Sequence, residues 1–100
     1  MGKIKKIIQI NKVLKENYHE LQDTFKVKEI GIFGSYARNE QKAKSDVDIL
    51  VEFREEPSLF KFIRLEDYLN KILSIKVDLV MKSALKPEIG KRILSEVTYL

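Results

Sequence analysis

A chain of 100 residues with 44% hydrophobic content reads as one folded domain, residues 1–100, with a modest core that hides about 60–65% of its extended surface. The absence of cysteine excludes a disulfide framework, a thiolate zinc site and a Cys nucleophile. The lone histidine, His19, argues against a His-rich metal site and against a Ser-His-Asp triad. Nineteen Lys and Arg against fifteen Asp and Glu give a charge of +4, which suits contact with a polyanion such as a nucleotide. The acidic residues are interspersed, so charge alone does not signify nucleic-acid binding.

In chain order, residues 3–22 predict an amphipathic helix. Ile4, Ile7, Ile8, Leu14, Tyr18 and Leu21 recur at helical spacing, with Lys5, Lys12, Lys15, Glu16 and Glu20 elsewhere. VKEIGIF, 27–33, predicts a strand with a buried face. GSYARN, 34–39, reads as a tight turn opening a short helix, with Ser35 as its N-cap. The polar stretch 39–45 is a loop, and DVDILVEF, 46–53, a second strand. A second long helix is expected over 58–73, with Leu59, Phe62, Ile63, Leu65, Leu69 and Ile72 near one face as core. VDLVM, 77–81, is a third strand, and Pro87 suits the first turn of a last helix. This order implies a small mixed α/β domain, a sheet of three or four strands flanked by helices.

No apolar run approaches the roughly 18–20 residues that cross a bilayer. The charged amino terminus lacks the apolar block of a signal peptide. The expectation is a soluble cytoplasmic protein with no membrane contact.

The chemistry is signalled by aspartates where strands should be apolar. Asp46 and Asp48 stand two apart at the head of the second strand, so both side chains point to one face, about 6.6–6.8 Å apart along the chain. Asp78 is embedded in the third. Burying a lone carboxylate costs several kcal/mol, and three together repel. A divalent cation resolves both difficulties; Mg²⁺ takes one or two carboxylates plus water and phosphate oxygens. Without a cation, at least one of the three carboxyls should titrate above its ordinary range. Gly34 allows close backbone approach, and free N–H groups after it suit a phosphate. Arg38, one turn on, can reach the same phosphates. Each feature alone has a plainer reading: a strand end, an ordinary turn, a solvated arginine. Their combination shifts the balance.

The segment IGIFGSYARNEQKAKSDVDILVEF, with Gly34-Ser35, ten residues, Asp46-x-Asp48 and then Asp78, resembles the minimal nucleotidyltransferase (MNT) family of the DNA polymerase β-like superfamily. The likeness runs from about Lys28 to the last helix. Many members carry glycine where this chain has Asn39; if that position needs positive φ, Asn is the next-best residue. The resemblance implies a nucleotidyltransferase-like fold. It also implies that Gly34, Ser35 and Arg38 bind the triphosphate of ATP, and that Asp46, Asp48 and Asp78 are catalytic and hold Mg²⁺, two ions in all. The implied reaction is transfer of AMP with release of pyrophosphate.

Larger relatives add a domain for the acceptor, whereas about twenty residues follow Asp78 here. The expected acceptor is therefore on another chain. In the family that chain is a HEPN toxin, modified on a tyrosine, and the MNT protein is its antitoxin. Two other readings stand beside this one. A non-catalytic subunit could neutralise a HEPN partner by contact. A small nucleic-acid-binding domain would need a contiguous basic face, and no aromatic-basic interleaving supports it, so no direct nucleic-acid contact is expected. A homodimer or hetero-oligomer would add burial to so small a core. His19 should be a surface residue. Tyr36, Tyr68 and Tyr99 are conceivable self-modification acceptors, with Tyr36 nearest the site.

Overall fold

The computed structural model describes residues 6–100. The start of the expected first helix, with Ile4 and Lys5, lies outside the described residues. The rest of that segment forms two helices, α1 (Ile7–Glu16) and α2 (Tyr18–Asp23). The break falls at Asn17. Its amide Nδ2 donates to the Val13 carbonyl (2.8 Å), and its Oδ1 accepts from the Tyr68 hydroxyl (3.1 Å). A side chain so occupied competes with a continuous helix.

Three strands match the expected bounds closely: β1 (Val27–Phe33), β2 (Val47–Phe53) and β3 (Val77–Met81). Between β2 and β3 runs α3 (Leu59–Leu73), capped by Ser58, whose hydroxyl accepts from the Lys61 N–H at 3.2 Å. Asn70 of α3 accepts from the Val77 N–H (2.6 Å) and so fixes where β3 begins. A single 3₁₀ turn (Lys82–Ala84) leads to α4 (Pro87–Glu96), with Pro87 at its first turn as expected. A short fourth strand, β4 (Thr98–Tyr99), was not legible in the sequence.

The sheet order is β3-β2-β1-β4. β1 runs antiparallel to β2 and β4, while β2 and β3 are parallel, joined through α3. Val47, Ile49 and Val51 of β2 face the main core, together with Ile30 and Ile32 of β1. Helices supply Ile10, Leu14, Leu21, Leu65, Leu69 and Leu73 to the same cluster. Period two then sends Asp48 and Leu50 to the opposite face. β4 lies against the β1 edge at Gly31, where a Cβ would come within 2.8 Å of the Val97 side chain and 2.9 Å of the Thr98 carbonyl.

Some expected core residues are on the surface. Ile8, Leu59 and Ile63 are exposed, as is Phe60 beside them, and Ile10 takes the inward place in α1. The breadth of an apolar stripe overstates the face a small sheet can cover. His19 is a surface residue, 2.9 Å from Asp23 one turn on. No helix among the described residues is long and apolar enough to cross a membrane.

Candidate active site

The site begins where β1 ends. Gly34 comes directly after Phe33, and Phe33 pairs with Asp48 across the β1–β2 ladder. Gly34 has φ of +73°, and a Cβ there would collide with the Asp48 Oδ2. Glycine is therefore required twice: for its backbone conformation, and because a carboxylate fills the space a side chain would need.

The expected short helix at 34–39 does not form. The chain instead folds into stacked turns, with the Arg38 N–H donating to the Gly34 carbonyl (3.1 Å) and the Glu40 N–H to the Ser35 carbonyl (2.8 Å). Two features explain this. Asn39 has φ of +58°, which a continuing helix forbids. Tyr36 is 1% exposed and belongs to the core cluster, so it pins the loop to the domain. That burial removes Tyr36 as a surface acceptor, although it is close to the site in sequence. Ser35 is half-buried beside it.

Two of the carboxylates come from the parallel pair of strands. Asp48 of β2 is in direct register with Asp78 of β3. In-register residues of neighbouring strands share a face, with strands about 4.8 Å apart. Asp46 precedes β2 and is exposed, as is Asp78, whereas Asp48 is half-buried. Burial pushes the Asp48 carboxyl up; Asp78 and then Asp46 add repulsion, and Glu96 a little more, against the pull of Arg38. The result is about 6. A half-buried acid surrounded by like charges is the environment that raises a carboxylic pKa.

The residue that sequence reasoning missed is Glu96, at the last turn of α4. Its Oε1 accepts from the Gly34 N–H at 3.0 Å. The Arg38 Nη1 donates to its Oε1 (3.1 Å) and Oε2 (3.0 Å). The Arg38 Nε donates to Glu40 at 3.0 Å. Desolvation raises the Glu96 carboxyl, but the Gly34 N–H and Arg38 outweigh it and hold it below the usual range. Arg38 in turn is raised by Glu40 and Glu96. Nothing in local sequence marks a glutamate 62 positions from Gly34 as its partner.

Among the described residues, no group of three or more acidic or histidine side chains stands where it could hold a metal ion as it is. The Asp48–Asp78 pair nonetheless fits a hard divalent cation. Both are oxygen donors on one face, and one is pushed up by like charges that a cation would neutralise.

The raised Asp48 has a measurable consequence. Its folded-state pKa lies above the ordinary 3.8, so the native state loses stability as pH rises from about 4 through 6. Asp48→Asn should stabilise the protein in chelator at pH 7.5 by about 1–2 kcal/mol, solvent screening included. The gain should vanish below pH 4. Urea unfolding of both proteins at pH 3.5 and 7.5 measures it, and equal midpoints at both values would contradict the assignment.

Comparison with known proteins bears on this arrangement. A profile described as the nucleotidyltransferase domain matches residues 6–100. The protein adenylyltransferase MntA of Thermococcus cleftensis is 55% identical over 92 residues, which span 92% of this chain and 93% of that protein. A solved structure assigned as a minimal nucleotidyltransferase superposes with a TM-score of 0.82 at 29% identity, covering 99% of this chain and all of that one (100%). A crystal structure of a toxin–antitoxin with AMP-PNP gives a TM-score of 0.68 at 25% identity, over 91% of this chain and 68% of that one. The chain thus belongs to the nucleotidyltransferase-domain family, and within it to the minimal, protein adenylyltransferase type.

Proposed function

We propose that the protein transfers AMP from ATP to a hydroxyl, that of a tyrosine, on a partner HEPN toxin, and so acts as its antitoxin. The observation that carries this reading is the register of Asp48 against Asp78 on one face, beside the glycine turn at Gly34. The 55% identity to a protein adenylyltransferase supports it, as does the likeness to a toxin–antitoxin with AMP-PNP.

Each residue then has a task. Gly34, Ser35 and Arg38 bind the triphosphate through backbone N–H groups, a hydroxyl and a guanidinium. Asp46, Asp48 and Asp78 would hold Mg²⁺, as two ions. Such ions, when bound, supply charge neutralisation for the triphosphate and a lowered pKa for the attacking hydroxyl. Asp78, on the outer strand β3 and exposed, faces the acceptor and orients its hydroxyl. Arg38 offsets negative charge on the departing pyrophosphate. The new bond is tyrosine oxygen to the α-phosphorus, the hydroxyl proton passing to solvent; the α–β phosphoanhydride breaks, and pyrophosphate leaves. Positioning and charge neutralisation supply most of the rate in such transfers.

The test is incubation of the protein with ATP labelled on the α-phosphate, Mg²⁺ and a HEPN protein, the product of a neighbouring gene where there is one. Label should appear on a tyrosine of the partner and should be lost in chelator. Label found on neither chain, with both folded, would overturn the reading.

A further inference from the structure

Glu96 occupies the place that the proposed function gives to a phosphate. One carboxylate takes the Gly34 N–H and two contacts from Arg38 Nη1, all between 3.0 and 3.1 Å. A backbone N–H beside a guanidinium is the donor pair that holds a phosphate oxygen. The Gly34 N–H has a single hydrogen, so it serves one strong acceptor at a time. A phosphate at this turn therefore competes with Glu96 directly.

The surroundings allow exchange. Glu96 ends a helix of which Gly90 is the only buried residue. Helices with so little buried surface open at low cost. Behind Glu96 the chain is anchored, with β4 paired to β1 and the Leu100 N–H donating to the Ile30 carbonyl at 2.9 Å. Displacing the Glu96 side chain therefore does not require β4 to leave β1. The Glu96 carboxylate is also a negative charge seated on the cradle, so it opposes the incoming triphosphate electrostatically as well as sterically.

We infer that Glu96 is a built-in competitor for the nucleotide's phosphate: it caps the Gly34 N–H and Arg38 in the free protein and must be displaced when the triphosphate enters. In the free protein it also keeps Arg38 oriented toward the glycine turn. This inference rests on the reading of that turn as the phosphate cradle.

The experiment measures MgATP binding by calorimetry to the wild-type chain, Glu96→Gln and Glu88→Gln. Glu88 lies exposed in the first turn of the same helix, so its variant changes net charge equally without touching the cradle. Glu96→Gln removes the negative charge that Glu96 sets against Arg38 and keeps the shape. It should bind MgATP about tenfold more tightly, the scale of one charge-assisted hydrogen bond released to a ligand. Glu88→Gln should match the wild type. Equal or weaker binding by Glu96→Gln would overturn the inference, as would an equal gain in Glu88→Gln. If wild type binds MgATP and Glu96→Gln shows no gain, only the competitor fails. If none of the three binds MgATP, the phosphate cradle itself fails and the competitor with it.

Discussion

Replacing Asp46 and Asp48 together by asparagine is expected to reduce AMP transfer by at least about 10³-fold, because charge stabilisation of the transferring group is the main service the site offers. The fold should survive. Asp46 is exposed, and Asp48 is half-buried and pushed up to about 6, so its neutral isostere relieves repulsion. A circular dichroism spectrum and melting curve of the variant check that condition first. Transfer of α-phosphate label to the partner then measures the loss. The same variant separates two ways of being an antitoxin. If growth protection persists while labelling is gone, contact rather than chemistry neutralises the partner. If both disappear, the reaction is the function. Activity within tenfold of wild type would remove Asp46 and Asp48 from the mechanism.

Gly34→Ala carries the second large effect, and it is structural before it is catalytic. A positive φ of 73° strains any side chain, and the new methyl would strike the Asp48 carboxylate. The combined cost is about 2–4 kcal/mol, which in a domain of this size lowers Tm by roughly 10–20 °C. A double-mutant cycle apportions it. Adding Asp48→Gly removes the colliding carboxylate and should return the steric share, leaving about 1–2 kcal/mol of backbone strain. Additive losses in the double variant would show that the two residues do not share the space the structure gives them. Transfer activity should fall in Gly34→Ala even below its melting range, since the turn that presents the N–H is displaced.

Much of this was legible from the chain because the signals were local. β1, β2 and β3 announced themselves by runs of β-branched residues between polar turns, and their bounds differ from expectation by at most one residue. The Asp46-x-Asp48 pair predicted a shared face by period alone; β2 begins at Val47, one residue after Asp46, and the in-register partner of Asp48 is Asp78. What escaped was non-local. The break at Asn17 depends on Tyr68, 51 residues away, and no helical periodicity reports such a contact. β4 is two residues long, below the length at which alternation can be read, and exists because Gly31 leaves room for Val97 and Thr98. The turn at 34–39 carries helix-compatible residues but is overruled by the positive φ of Asn39 and the buried ring of Tyr36. Asn39 is of the residue type that best tolerates that conformation after glycine. Glu96 escaped for the same reason as Asn17: its partners Gly34 and Arg38 lie far away along the chain.

The environment of Asp48 also sets selection for heat resistance against selection for catalysis. Laboratory evolution that rewarded only survival of heating in chelator would favour neutral residues at position 48. Its winners would be hardy chains that had given up the reaction, so any campaign to toughen this enzyme must score turnover in every round.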